Sequence, residues 1–169
     1  MPVPVRRRLP PSRLSGGFTI IELVITIAIV ALLATAVIPS AQLAFQRERE
    51  VELRQALRTI RTGIDAYKRA WDSGHIRREV EKSGYPPDLQ TLVDGVDDAS
   101  NPKEGVKIYF LRRIPRDPFW PDSTTAAADT WAPRAYASSP DDPQPGDDVF
   151  DVTSRSSKTG LNGVPYREW

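Results

Sequence analysis

The chain has no cysteine and one histidine among its 169 residues. Without cysteine it can form no disulfide, so a small folded region must be stabilised by burial, by its own helix or by a bound ion. A histidine-based metal site or a Ser-His-Asp triad would have to rest on His75 alone, and we expect that residue in an exposed loop after Gly74. The sequence also lacks a glycine-rich nucleotide loop and a long internal repeat. These absences disfavour an enzyme.

Positive charge is concentrated at the start of the chain. The formal net charge is +1, and four arginines in residues 1–17 contribute +4 without any acid, so the rest carries the difference, −3. No basic stripe remains in that part to support nucleic-acid binding. Arginines that precede an apolar segment stay on the cytoplasmic side, and the C-terminal part then crosses the membrane.

An apolar segment of 21 residues, 18–38, follows the arginines and contains one charge, Glu22. As a helix it would be about 31 Å long, which spans a bilayer core. A carboxylate near the membrane centre costs about 2.5–3.5 kcal/mol on insertion scales, so we expect Glu22 to have a partner. A secretory signal cleaved after 34–36 and a plain signal anchor are alternatives, but both leave Glu22 unexplained.

The pattern after Pro39 predicts that the helix continues to about Ser73. Its apolar residues recur at spacings of three and four and therefore share one face; they are Leu53, Leu57, Ile60, Ile64, Tyr67 and Trp71. Small residues on a neighbouring strip, Ala56, Gly63 and Ala70, allow another element to approach closely. We expect a kink at Pro39 and a left-handed cap at Gly74. The stripe favours a helix packed on a small sheet over a coiled coil.

The remaining region, 74–169, is rich in loops. Alternating residues predict strands at 134–138 and 149–154, and the end, 163–169, predicts a third strand or an ordered tail. Asp88 is a candidate N-cap for a short helical segment.

The start of the chain resembles the signal sequence of type IV pilins and of type II secretion pseudopilins. The resemblance rests on the basic leader, Gly17 directly before Phe18, Glu22 four residues later and the long apolar segment. It implies that a prepilin peptidase removes a cytoplasmic leader, 1–17, by cutting after Gly17. It also implies N-methylation of Phe18 and a need for Glu22 in filament assembly.

Beyond residue 85 the chain is most similar to the major, or G-type, pseudopilin of the type II secretion system. The similarity is carried by the segments 85–89, 110–119 and 161–169. The chain departs from that pattern in two places. Phe119-Trp120-Pro121 replaces the usual Trp-Gly, and 124–130 looks like an insertion.

This resemblance implies an α+β fold, the pilin-like lollipop. One long N-terminal helix packs its outer half on a small antiparallel sheet, followed by a loop-rich C-terminal region. The implied domains are the leader 1–17, a transmembrane half of the helix at 18–38, its outer half at 39–73 and a small periplasmic globular region at 74–169.

G-type pseudopilins often bind calcium in the loop after the last main strand. Ser154, Ser157 and Asn162 are therefore the candidate ligands of a weak calcium loop. Calcium takes about six to eight oxygen ligands, several of them from carboxylates. The loop 153–163 contains no acid and two cations, Arg155 and Lys158, which argues against the ion.

The resemblance predicts a structural subunit, not an enzyme, that crosses the bacterial inner membrane once and places its C-terminal region in the periplasm. Its partners would be further copies of the chain in a helical filament, the prepilin peptidase, an inner-membrane assembly platform with its ATPase, minor pseudopilins and membrane lipid, but no nucleic acid. One alternative is a type IV pilin of a surface filament for adhesion, motility or DNA uptake. A more remote one is a membrane-anchored periplasmic binding protein.

We expect the assembly charge pair to join Glu22 of one subunit to the α-amine of Phe18 on its neighbour. Small residues in the apolar segment would permit close approach of helices; they are Ala28, Ala31, Ala34 and Ala36.

Overall fold

The computed structural model describes residues 17–101, 103 and 105–169, and all of their side chains except those of residues 36–40. Residues 1–16 of the predicted leader lie outside the described residues. The chain divides into two compact units, Met1–Gln42 and Leu43–Trp169, which we call the N-terminal unit and the C-terminal unit. One helix, α1 (Ile20–Asp72), begins in the first and ends in the second.

The C-terminal unit adds a short helix and two small antiparallel sheets to its part of α1. The helix α2 spans Thr91–Asp94. The first sheet pairs β1 (Val96–Asp97) with β2 (Lys107–Ile108), and the second pairs β3 (Trp131–Arg134) with β4 (Asp151–Ser154). Single 3-10 turns occupy Ala128–Thr130 and Tyr166–Glu168. The predicted α+β class, a long N-terminal helix with small antiparallel sheets, is confirmed.

The core of this unit lies between α1 and the β3–β4 sheet. Leu53, Ile60 and the rest of the predicted stripe are buried, except that Trp71 is only partly buried. They pack with Trp131 and Val152 of the sheet and with Tyr166 of the last turn. Each buried aliphatic side chain contributes about 1.5–3 kcal/mol, so this stripe explains why the helix lies on the sheet.

Glycine permits the close approach that the small-residue strip predicted. A Cβ added to Gly63 would lie 2.9 Å from Cγ of Leu111, so this turn of α1 has room only for hydrogen. At the end of α1, Gly74 has φ of 82°, and the amide of His75 donates to the carbonyl of Ala70. The predicted left-handed cap is therefore present.

The strands differ from their predicted bounds. β3 begins at Trp131, and it shares only Arg134 with the predicted 134–138. The amide of Ala135 donates to the carbonyl of Gln144, and the amide of Tyr136 donates to the carboxylate of Asp148. Residues after Arg134 are thus tied to the acidic loop 140–148 and cannot pair with β4. Pro133 lies opposite Val152 in the ladder of this two-stranded sheet, where an edge strand tolerates proline.

The chain end is an ordered tail, not a third full strand. It forms the 3-10 turn Tyr166–Glu168 and one isolated bridge between Thr159 and Pro165. Ahead of α2, the N-cap is Gln90 and not the predicted Asp88, although the carboxylate of Asp88 accepts the amide of Thr91 at 2.7 Å.

Candidate functional site

The Gly17–Phe18 peptide bond lies in exposed, non-helical backbone directly before α1. Phe18 is 82% exposed, and a Cβ added to Gly17 would meet no atom within 4 Å. A peptidase must bind a substrate backbone in an accessible conformation, and helical hydrogen bonds would hide it. The structure therefore leaves the predicted cleavage position open to an enzyme.

Thr19 caps the first turn of α1. The amide of Glu22 donates to the hydroxyl oxygen of Thr19 at 3.3 Å, and the amide of Leu23 donates to the carbonyl of Thr19 at 3.2 Å. A threonine three residues before a glutamate is the pattern of a capping box. Sequence reasoning missed Thr19, although this spacing was visible. Glu22 lies in the first turn, where the helix dipole favours a negative charge, and its side chain is exposed.

The described side chains of the N-terminal unit are exposed, among them Ala28, Ala31 and Ala34. The side chain of Ala36 and the predicted kink at Pro39 lie outside the described residues. None of the helices, as far as their residues are described, is long and apolar enough to cross a membrane.

A buried carboxylate, Glu50, joins α1 to the last loop of the chain. It is 5% exposed, and its Oε1 accepts hydrogen bonds from the Leu161 amide at 2.7 Å and the Tyr166 hydroxyl at 2.9 Å. The side-chain amide of Gln46 donates to the same oxygen at 3.3 Å and to the Tyr166 hydroxyl oxygen at 3.1 Å. Burial raises the pKa of Tyr166, so its phenol keeps the proton that it donates to Glu50.

Sequence reasoning missed this role, because Glu50 stands in a run of alternating charges that looks solvated. The spacing of Glu50 from the apolar residues of the helix could have revealed its burial. Glu50 precedes Leu53 by three residues and Leu57 by seven, which places its side chain on the buried face. An acid on an apolar face predicts a specific set of hydrogen-bond donors.

Two arginines of α1 hold the chain end. The guanidinium of Arg61 donates to Asp151 at 2.7 Å, to the carbonyl of Val152 at 3.1 Å and to the carbonyl oxygen of Trp169 at 2.7 Å. The guanidinium of Arg54 lies 4.4 Å above the ring of Trp169. Together with Glu50, these contacts tie α1 to the region where the sequence suggested a calcium loop.

Two of the three candidate calcium ligands already make hydrogen bonds to protein groups. Ser154 is buried, and its hydroxyl donates to the carboxylate of Asp117, whose other oxygen accepts the amide of Phe119. Ser157 is exposed, as is Asn162, whose side-chain oxygen accepts the amide of Val164. In the described part of the chain, no group of three or more His, Cys, Asp or Glu side chains could hold a metal. Arg155 donates to the carbonyl of Trp131, so protein groups hold the loop.

His75 lies in an exposed loop, as predicted, and contacts Ser100 and Asp98. Its Nδ1 is 2.8 Å from the Ser100 hydroxyl and 3.3 Å from the Asp98 carboxylate. Hydrogen bonds from Ser100, and to a lesser extent from His75, lower the pKa of Asp98. Both partners face the same ring nitrogen, whereas a catalytic triad needs the acid and the nucleophile on opposite nitrogens. This cluster is a loop contact.

Comparison with protein families matches residues 12–38 to the prokaryotic N-terminal methylation motif. The matched segment includes Gly17, Phe18 and Glu22, and it supports a type IV pilin-like protein. The motif implies processing by a prepilin peptidase and assembly into filaments, and the proteins that carry it are structural. No curated protein and no solved structure gives a significant match.

Proposed function

We propose that the chain is a structural subunit of a periplasmic pseudopilus that drives protein export by type II secretion. It is made as a prepilin, cleaved after Gly17 and N-methylated at Phe18. The observation that carries the proposal is the methylation motif over residues 12–38, with its Gly17–Phe18 bond exposed directly before a long helix. Residues 18–38 would anchor the subunit in the inner membrane, and the C-terminal unit would lie in the periplasm.

Two features support a pseudopilin over a surface pilin, which carries the same kind of motif. The chain has no cysteine, whereas many type IV pilins close a C-terminal loop with a disulfide. The segment 110–119 is similar to that of G-type pseudopilins. Neighbouring genes for a secretin and an assembly ATPase, without a retraction ATPase, would separate the two candidates.

Cleavage creates the positively charged partner that Glu22 lacks in the precursor. A free α-amine has a pKa of about 8, so the new terminus of Phe18 is mostly protonated at neutral pH. Glu22 of an incoming subunit then pairs with the amine of Phe18 on the subunit at the filament base. Because both charges are desolvated in lipid, a misplaced subunit leaves them uncompensated. The pair therefore sets axial register, while small residues such as Ala28 and Ala31 allow helices to pack.

The proposal is tested with Glu22→Ala, co-expressed with the wild-type chain. We expect the variant to be cleaved after Gly17 and methylated at Phe18, as seen by mass spectrometry, but to enter filaments at least about tenfold less often, since losing one partner of a desolvated charge pair costs more than 1.4 kcal/mol. Incorporation equal to wild type would refute the charge pair. An uncut chain, or one that begins at Val37, would refute the processing.

Thr19→Val is the matched control. It removes the hydroxyl that caps α1 but leaves the Glu22 carboxylate in place. If Glu22 acted only through capping, this variant would lose filaments as severely as Glu22→Ala does. We expect it to assemble within about fivefold of wild type, because an N-cap is worth about 1 kcal/mol.

A further inference from the structure

A cleft of about 1040 Å³ opens in the C-terminal unit between the end of α1 and the loops 79–87 and 135–148. Four aromatic side chains line it: Tyr67, Trp71, Tyr85 and Tyr136. The rings of Tyr85 and Tyr136 stack with their centroids 5.5 Å apart, and Tyr136 is 59% exposed. The exposed ring of Tyr136 is therefore available for contact with a partner.

The same cleft is acidic. Four carboxylates line it, those of Glu79, Glu81, Asp147 and Asp148, against one lysine, Lys82. Asp148 accepts hydrogen bonds from Ser83 and from the amide of Tyr136. In the described part of the chain, the other three carboxylates have no cation within salt-bridge distance. Carboxylates beside aromatic faces suit a guanidinium group, which pairs with the former and stacks on the latter.

The acidic wall is held in place by its backbone. A Cβ added to Gly146 would lie 2.8 Å from that of Ala135, so the loop packs directly on the end of β3. The carbonyl of Gln144 accepts the amide of Ala135 at 2.9 Å. These contacts fix the position from which Asp147 faces the cleft, and a preformed site loses less entropy on binding.

A pair of exposed arginines elsewhere on the same unit has the complementary charge. Arg112 and Arg113 stand on a loop whose two ends are anchored. The amide of Leu111 donates to the carbonyl of Leu92 at 2.9 Å, and the carbonyl of Pro115 accepts the indole N–H of Trp131 at 2.9 Å. No described carboxylate lies within salt-bridge distance of either arginine. Both guanidinium groups are therefore presented on a fixed backbone.

The other adjacent arginine pair of this unit is a poorer candidate. Arg77 and Arg78 belong to the segment that leads into the cleft's own wall. Arg78 donates to the carbonyls of Trp71 and Asp72 and is thus already engaged.

We propose that the aromatic, acidic cleft of one subunit binds Arg112 and Arg113 of a second copy of this chain. Each copy carries both halves of the contact at different places on its surface, so the contact is heterologous and can repeat without closing. It would link successive C-terminal units in the periplasm. The inference rests on the proposed filament, and it names a second contact besides the Glu22 pair.

Cysteine cross-linking tests the contact without background, because the native chain has no cysteine. One tagged chain carries Arg113→Cys, and a differently tagged chain carries Asp147→Cys. After mild oxidation of the membranes, we expect disulfide-linked dimers that contain both tags. The matched control replaces Asp147→Cys by Asp97→Cys, an exposed acid in β1 outside the cleft. Equal cross-linking with the control pair would overturn the proposal.

Charge exchange provides the second measurement. We expect Arg113→Glu and Asp147→Arg each to lower filament yield about tenfold. The coupling energy of a close interfacial charge pair is large enough to change an association constant by at least that factor. The double variant on one chain restores the opposite charges at every contact and should recover to within about threefold of wild type. Asp97→Arg, with the same charge change, should have no effect. Failure of the double variant to recover would overturn the contact.

The two proposals fail in different ways. Filaments that form without the 113–147 cross-link would overturn this contact and leave the proposed function in place. Cross-links in a chain that is neither cleaved at Gly17 nor assembled into filaments would support the contact and overturn the proposed function. A chain that shows neither would overturn both.

Discussion

Glu50 and Glu22 are carboxylates of the same helix in opposite surroundings. Glu22 is exposed, and the partner that we propose for it belongs to another subunit. Glu50 is buried and, among the described residues, its partners are neutral donors: the Leu161 amide, the Tyr166 hydroxyl and the Gln46 side chain. Three hydrogen bonds to one carboxylate oxygen offset much of the cost of burying this polar group.

We expect Glu50→Ala to lower the free energy of unfolding by about 2–3 kcal/mol. The substitution leaves the amide of Leu161 and the hydroxyl of Tyr166 buried without an acceptor, and each such group costs about 1–3 kcal/mol. Urea unfolding of the purified chain, followed by circular dichroism, measures the change. Glu52→Ala removes an exposed acid from the same helix and should stay within about 0.5 kcal/mol of wild type. An equal loss of unfolding free energy in both variants would show that the hydrogen bonds of Glu50 do not stabilise the fold.

At the scale of elements, a feature could be predicted from the sequence when residues close together in the chain determine it. The burial of α1 follows from the spacing of the apolar residues between Leu53 and Tyr67, so it could be read from the sequence. β3 was misplaced because the amides of residues 135 and 136 donate to Gln144 and Asp148, and these hydrogen bonds decide where the strand ends. The Glu50–Leu161 bond crosses 111 residues and leaves no local pattern. Long-range contacts of this kind are set by the fold as a whole.

The contact between Gly63 and Leu111 gives a prediction for α1. Alanine at position 63 would gain about 1 kcal/mol of helix propensity. Its Cβ would also lie 2.9 Å from Leu111, whose backbone is fixed by its bond to Leu92, and overpacking typically costs about 1–3 kcal/mol. We therefore expect Gly63→Ala to destabilise the chain by about 1 kcal/mol in urea unfolding.

The double variant Gly63→Ala with Leu111→Ala is the control for this prediction. It removes the colliding side chain, so its stability should exceed that of Leu111→Ala alone by the propensity gain, about 1 kcal/mol. If Gly63→Ala raises stability in the presence of Leu111, the close approach does not limit this position.

At the scale of the whole molecule, the C-terminal unit must close a loop-rich region without a disulfide. Its ties run from α1 to the chain end: Glu50 to Leu161, Arg61 to the carbonyl of Trp169, and Arg54 to the Trp169 ring. Each joins residues more than a hundred positions apart. Each contact therefore helps to offset the conformational entropy lost when this long loop closes, as a disulfide would do. The buried pair of Ser154 and Asp117 holds the start of the same loop.

This closure predicts that calcium does not stabilise the chain. A site with a Kd of about 10 μM would add about 2.7 kcal/mol at about 1 mM calcium. In a unit of this size that corresponds to a rise of about 10 °C in the midpoint of thermal unfolding. We expect the midpoint, followed by circular dichroism of the full chain in detergent, to change by less than about 1 °C on adding calcium or a chelator, because the loop 153–163 offers no carboxylate. Magnesium is the control for ionic strength, and a rise of several degrees with calcium alone would contradict the prediction.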